Sequence, residues 1–66
     1  MEPELLKQEM ELALRTAGYR MTSQREAIVD YLASTFEHPG AARVFQEVKK
    51  KQPGLSLATV YNTLHV

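Results

Sequence analysis

No cysteine occurs in the 66 residues of this chain, so it can hold neither a disulfide framework nor a thiolate metal site. No apolar run approaches the ~18 residues a membrane span needs. The N-terminus also lacks the basic segment followed by an apolar one that marks a secretory signal. A cytoplasmic protein without a membrane partner is the expectation. Net charge is missing too: eight basic groups balance eight acidic ones, whereas nucleic-acid binders ordinarily show a basic excess. There are no internal repeats, low-complexity tracts, Gly-rich phosphate loops, paired carboxylates or nucleophile–base pairs, and an enzyme is not expected. The length allows one small domain, near the lower limit for folding without cross-links or metals.

The balanced charge is unevenly spread. Residues 1–14 set Glu2, Glu4, Glu9 and Glu11 against Lys7 alone. The remainder sets Arg15, Arg20, Arg25, Arg43, Lys49, Lys50 and Lys51 against Glu26, Asp30, Glu37 and Glu47. The chain has an acidic head and a mildly basic body, for which weak non-specific affinity for nucleic acid is expected.

Hydrophobic spacing predicts four helices and an all-α chain. In the first, Leu5, Leu6, Met10, Ala13, Leu14 and Ala17 recur at helical intervals after Pro3, and Gly18 suits a left-handed stop. Thr22 or Ser23 caps the second, with Ser23 and Glu26 at capping-box spacing. Ala27, Ile28, Tyr31 and Leu32 form its inward stripe to about Thr35. The third is expected over 41–52, with Ala41, Val44, Phe45 and Val48 at i, i+3, i+4 and i+7. Lys49, Lys50 and Lys51 close it as a solvated, dipole-favoured run, with approach of one or two of them to phosphate the lesser alternative. Pro53 and Gly54 break the chain, and Ser56 caps a fourth helix. The expected core is Leu14, Ile28, Tyr31, Leu32, Val44, Phe45, Val48, Leu57, Val60 and Leu64.

At about 100° per residue, Leu57, Val60 and Leu64 share the inward face of that last helix. Ala58, Thr59, Asn62 and Val66 lie broadly opposite, with Tyr61 on the flank and His65 towards the exposed side. The outward face is short, uncharged and hydrogen-bonding, unlike the charged face of an ordinary solvated helix. Such a face suits base edges in a DNA major groove, and it equally suits a plain amphipathic helix ending a small bundle. Helix, breaker and capped helix together trace the outline of a helix-turn-helix.

Leu57-Ala58-Thr59-Val60-Tyr61-Asn62-Thr63-Leu64 resembles the recognition helix of the ferric uptake regulator family of metal-dependent bacterial repressors. Ala17-Gly18-Tyr19-Arg20-Met21-Thr22-Ser23-Gln24-Arg25 is similar to the same family's G-x-R-x-T-x-x-R segment. His38-Pro39 matches its loop, and together with Tyr61-Asn62 looks most like the peroxide-responsive branch. The likeness runs from about Leu12 to Val66, with three motifs in order.

The resemblance implies that residues 1–66 are the N-terminal winged-helix DNA-binding domain, ending before the wing hairpin and lacking the dimerisation domain. It implies repression by sequence-specific binding of double-stranded DNA, on an AT-rich inverted repeat read by homodimers. The 66-residue piece by itself is expected to be monomeric or weakly associating. Expected base contacts come from Thr59, Tyr61 and Asn62, where an Asn amide suits an adenine edge, and Ala58 is also expected at the DNA interface. Ser23, Gln24 and Arg25 begin the helix that lies beside the DNA, with Arg25 as a phosphate clamp or else a partner in an internal salt bridge. Arg20 reaches phosphate or the minor groove, or is simply solvated, and Tyr19 is expected to pack. His38 matches a ligand of a regulatory iron or manganese site whose other ligands lie in the missing domain. This chain alone is expected to bind no cofactor, and the full-length protein Fe2+, Mn2+ or Zn2+.

The pattern breaks after the loop. Many relatives have Ser or Thr at the place of Gly40, then Ala and two acids, whereas here Ala41, Ala42 and Arg43 follow. That makes this edge more positive in expectation. The alternative to DNA binding is a small helical protein-interaction module, favoured by neutrality and the acidic first helix.

Overall fold

The computed structural model describes residues 3–35, 37 and 39–65, and among these there are four helices and no strand. They are α1 (Pro3–Thr16), α2 (Ser23–Ser34), α3 (Ala41–Lys49) and α4 (Leu57–Leu64). Their ends follow from local chemistry. Gly18 adopts φ +92°, the left-handed conformation that costs a glycine little. This lets the Tyr19 amide donate to the Leu14 carbonyl (2.9 Å) and the Gly18 amide to that of Arg15 (3.0 Å), closing α1 in a Schellman motif.

Thr22, not Ser23, caps α2: its hydroxyl accepts from the Arg25 amide at 3.2 Å. With Ser23 as the first helical residue, Glu26 falls one position too late for a capping box and instead faces Lys7 at 3.8 Å. Gly40 caps α3 without a side-chain bond, as a glycine must. α3 ends three residues before the expected Gln52. The amides of Lys51 and Gln52 both donate to the Val48 carbonyl, tightening the chain ahead of Pro53, which disfavours a helical residue before it. Ser56 caps α4 as expected, accepting from the Thr59 amide at 3.1 Å.

Ile28, Val44, Val48, Leu55 and Val60 form the central cluster, with Ala27, Tyr31, Leu32, Ala41, Phe45 and Leu64 packed against it. Leu14 and Val29 are buried as well. α1 packs chiefly on α2, and Lys7 joins the two by an ion pair with Asp30 at 2.8 Å. Hydrogen bonding to Asp30 holds the Lys7 ammonium above its ordinary range.

One expected core residue lies elsewhere. Leu57 is 43% exposed, while Thr63 and Leu55 are 7% and 4% exposed. The inward face of α4 is therefore centred on Val60 and Thr63, rotated away from Leu57. Thr63 tolerates burial because its hydroxyl donates to the Thr59 carbonyl at 2.7 Å. Leu55, just ahead of α4, supplies the aliphatic contact expected from Leu57. No helix among the described residues is long and apolar enough to cross a membrane.

Candidate nucleic-acid interface

The outward side of α4 carries no acidic or basic residue anywhere along Leu57–Leu64. Ala58, Tyr61 and Asn62 are exposed on it, together with Leu57. Thr59 is half-buried, and its hydroxyl lies 2.9 Å from that of Ser56. The Thr59 hydroxyl is thus already engaged in the cap, leaving its methyl as the freer part. Tyr61 stacks on His65, with ring centroids 6.0 Å apart and planes at 11°. His65 Nδ1 lies 2.8 Å from the Tyr61 carbonyl, which can only accept, so Nδ1 carries the hydrogen. His65 therefore braces Tyr61 from the C-cap instead of standing free.

The start of α2 supplies the second cluster. Ser23 is exposed and Gln24 half-buried. Gln24 Nε2 donates to the Gly54 carbonyl at 3.4 Å, a long bond that ties the start of α2 to the turn leading into α4. Arg25 forms no ion pair among the described residues. Its Nη1 donates to the Arg20 carbonyl at 3.2 Å, and its guanidinium carbon lies 4.9 Å from the centre of the Tyr19 ring. Its Nε is buried and has no partner among the described residues, a loss that typically costs about 1–3 kcal/mol. The structure thus brings the Arg25 guanidinium to the Arg20 backbone carbonyl, and Gln24 to the turn before α4. The Tyr19 side chain, expected only to pack, takes a part in this cluster that helical spacing has no means of revealing.

Several other charges are already paired. Arg43 is bonded to Glu37, whose carboxylate is the main cause of a raised Arg43 pKa. The edge after Gly40 is thus less positive than its sequence suggests. Lys50 bonds Glu47 at 2.7 Å and holds that carboxyl below its ordinary range. Lys49 lies over the Phe45 ring at 4.8 Å. Arg15, Arg20, Arg25, Lys49 and Lys51 have no carboxylate within 4.0 Å among the described residues.

His38 and Val66 lie outside the described residues. Among those described, no group of three or more His, Asp or Glu side chains is placed to hold a metal. A cleft of about 320 Å³ between α2 and α3 is lined by Ala27, Asp30, Tyr31, Ser34, Glu47, Val48 and Lys51, and by none of the candidate DNA contacts.

The uncharged outward face of α4 thus accompanies an α2 start whose Arg25 has no carboxylate partner among the described residues, and similarity names the class. The chain belongs to the ferric uptake regulator family, whose model matches residues 16–66. It is similar to the peroxide-responsive repressor PerR of Staphylococcus epidermidis (strain ATCC 12228), 48% identical over 54 residues, covering 82% of this chain and 36% of that protein. It is also similar to PerR of Staphylococcus aureus (strain USA300), 43% identical over 68 residues, covering 98% of this chain and 46% of that protein. The chain spans less than half the length of these curated relatives. No solved structure matches it.

Proposed function

We propose that residues 1–66 are the N-terminal DNA-binding domain of a metal-dependent bacterial repressor of the peroxide-responsive type. In this reading α3 and α4 are the helix-turn-helix of a winged-helix domain, with the wing hairpin following α4 in sequence. Asn62 and Tyr61 read base edges, an amide for adenine and a ring for a thymine methyl. Ala58 and the Thr59 methyl allow close approach. Arg20, Ser23, Gln24 and Arg25 set the register through phosphates. The full-length protein acts as a homodimer on an AT-rich inverted repeat, since two-fold symmetry in the protein calls for it in the operator. His38 contributes there to a regulatory Fe2+, Mn2+ or Zn2+ site, together with ligands from the rest of the protein.

The observation that carries the reading is the outward face of α4. Tyr61 and Asn62 are exposed on a helix without charge, and their backbone is held by caps at both ends. Charged side chains would ordinarily solvate such a face. The test is fluorescence anisotropy with an AT-rich inverted-repeat duplex and a scrambled one, across several salt concentrations. Preference for the repeat, relaxed in Asn62→Ala, is the expected outcome. Equal binding to both duplexes, or none by a chain that circular dichroism shows to be folded, would count against it.

A further inference from the structure

We infer that Tyr19 is a positioning residue, which seats the Arg25 guanidinium in advance for a phosphate; this rests on the DNA-binding reading above. Three fixed points hold Arg25. Its amide donates to the Thr22 hydroxyl, its Nη1 to the Arg20 carbonyl, and its guanidinium lies over the Tyr19 ring at 4.9 Å.

None of these partners carries a negative charge. An arginine paired with a carboxylate has its charge already neutralised, as Arg43 has on Glu37. An aromatic face and a carbonyl attract the cation without neutralising it. A guanidinium has five N–H donors, and a single side-chain hydrogen bond is made among the described residues. Its Nε is buried and has no partner among the described residues, so the guanidinium is held without its full set of donors engaged.

The seat is built from the backbone upward. Gly18, at φ +92°, reverses the chain, and the Tyr19 amide is locked to the Leu14 carbonyl at 2.9 Å. The ring is therefore placed by the end of α1 and the cation by the start of α2. Freezing a long side chain beforehand removes that entropy loss from the binding step. Replacing Arg25 by Lys would forfeit the planar stacking surface.

The experiment is a double-mutant cycle on the whole chain, by anisotropy against the AT-rich inverted-repeat duplex over a salt series. Arg25→Ala is expected to lower the log–log salt slope by about 0.9, the loss of one phosphate contact. Tyr19→Leu is expected to weaken binding about two- to fivefold, as loss of a partly exposed cation–π contact would. Tyr19→Phe keeps wild-type affinity because it keeps the ring. In the Arg25→Ala background, Tyr19→Leu has no further effect. Equal weakening in both backgrounds would mean that Tyr19 merely supports the fold, and would overturn the inference.

A second measurement needs no DNA. NMR shifts of the Arg25 δ and ε protons are expected to show the ring current in wild type and Tyr19→Phe, and to lose it in Tyr19→Leu. An absent ring current overturns the role of Tyr19 whatever the duplex does. A present ring current with no salt-dependent binding by wild type overturns the DNA-binding reading, and the purpose of the seat with it.

Discussion

The hydroxyl of Thr63 donates to the carbonyl of Thr59 at 2.7 Å, and this bond lets a polar residue stand on the inward face of α4. Satisfied within its own helix, Thr63 presents its methyl to the core at 7% exposure. Thr63→Val keeps that methyl and drops the hydroxyl, leaving the Thr59 carbonyl its backbone bond. Urea unfolding is expected to place it within about 1 kcal/mol of wild type. Thr63→Asp puts a carboxylate where only a locally bonded hydroxyl fits, and is expected to unfold the chain. Leu57→Ser, on the exposed side, is expected to change stability by no more than about 0.5 kcal/mol.

Ser56 does two things in the structure: it caps α4 and it occupies the hydroxyl of Thr59. Ser56→Ala should therefore destabilise by about 1 kcal/mol, within a usual span of roughly 0.5–2, whereas Ser56→Gly costs only a few tenths. Hydrogen exchange at the Thr59 amide provides the local check. It is expected to speed up in Ser56→Ala more than exchange at Val44 or Val48, which lie in the central cluster. Equal acceleration at all three would mean that the cap acts on the whole fold.

These two cases show where the sequence is legible and where it is not. Helix number, the Ser56 cap, the left-handed Gly18 and most of the core follow from side-chain period and cap chemistry, which are local. The rotation of α4 does not. Leu57 outranks Thr63 on any hydropathy scale, and only packing beside Leu55 and the internal Thr63 bond reverses that order. The end of α3 is hidden for a similar reason, since the turn before Pro53 tightens on Val48 while the lysines remain helix-compatible. At the candidate interface, the exposure of Tyr61 and Asn62 follows from angle alone. The seat of Arg25 joins two helices through a ring and a backbone carbonyl, and no spacing rule reports on that. The pairing of Arg43 with Glu37 across the start of α3 is equally out of reach.

Gly18 and Gly40 have equally open surroundings, with nothing within 4 Å of the place a Cβ would take, yet they should respond differently to substitution. Gly18 sits at φ +92°, where a side chain strains the backbone whatever the space, and Gly18→Ala is expected to cost about 1–2 kcal/mol. Gly40 sits at φ −73° as an N-cap without a side-chain acceptor, so Gly40→Ser supplies the missing one and is expected to stabilise by a few tenths of a kcal/mol. Thermal melts of the two variants against wild type check both signs at once. Because the Gly18 turn also aims Tyr19 at Arg25, Gly18→Ala is expected to disturb the Arg25 side-chain resonances, while Gly40→Ser leaves them unchanged.

The ion pairs give a pH dependence whose sign differs at the two ends of the scale. Hydrogen bonding to Asp30 raises the Lys7 pKa above its ordinary 10.5. A raised value means that the folded state holds the proton more tightly. The contribution of Lys7 is therefore fully present below the ordinary lysine pKa and is lost as pH rises through the raised one. Glu47 is the opposite case. The hydrogen bond from Lys50 lowers its pKa, so its contribution is present above the ordinary carboxyl range and fades as pH falls through the lowered value. Both side chains face solvent, and salt should weaken both effects. Lys7→Gln separates them, because it removes the tie between α1 and α2 and leaves Glu47 untouched. At neutral pH it is expected to loosen α1, seen as faster amide exchange in Leu6–Met10 with little change in α4. Above the lysine titration the gap in stability between variant and wild type is expected to close, whereas at acid pH both should lose the Glu47 contribution alike. A gap that persists undiminished at alkaline pH would show that Lys7 acts through packing of its methylenes and not through its charge.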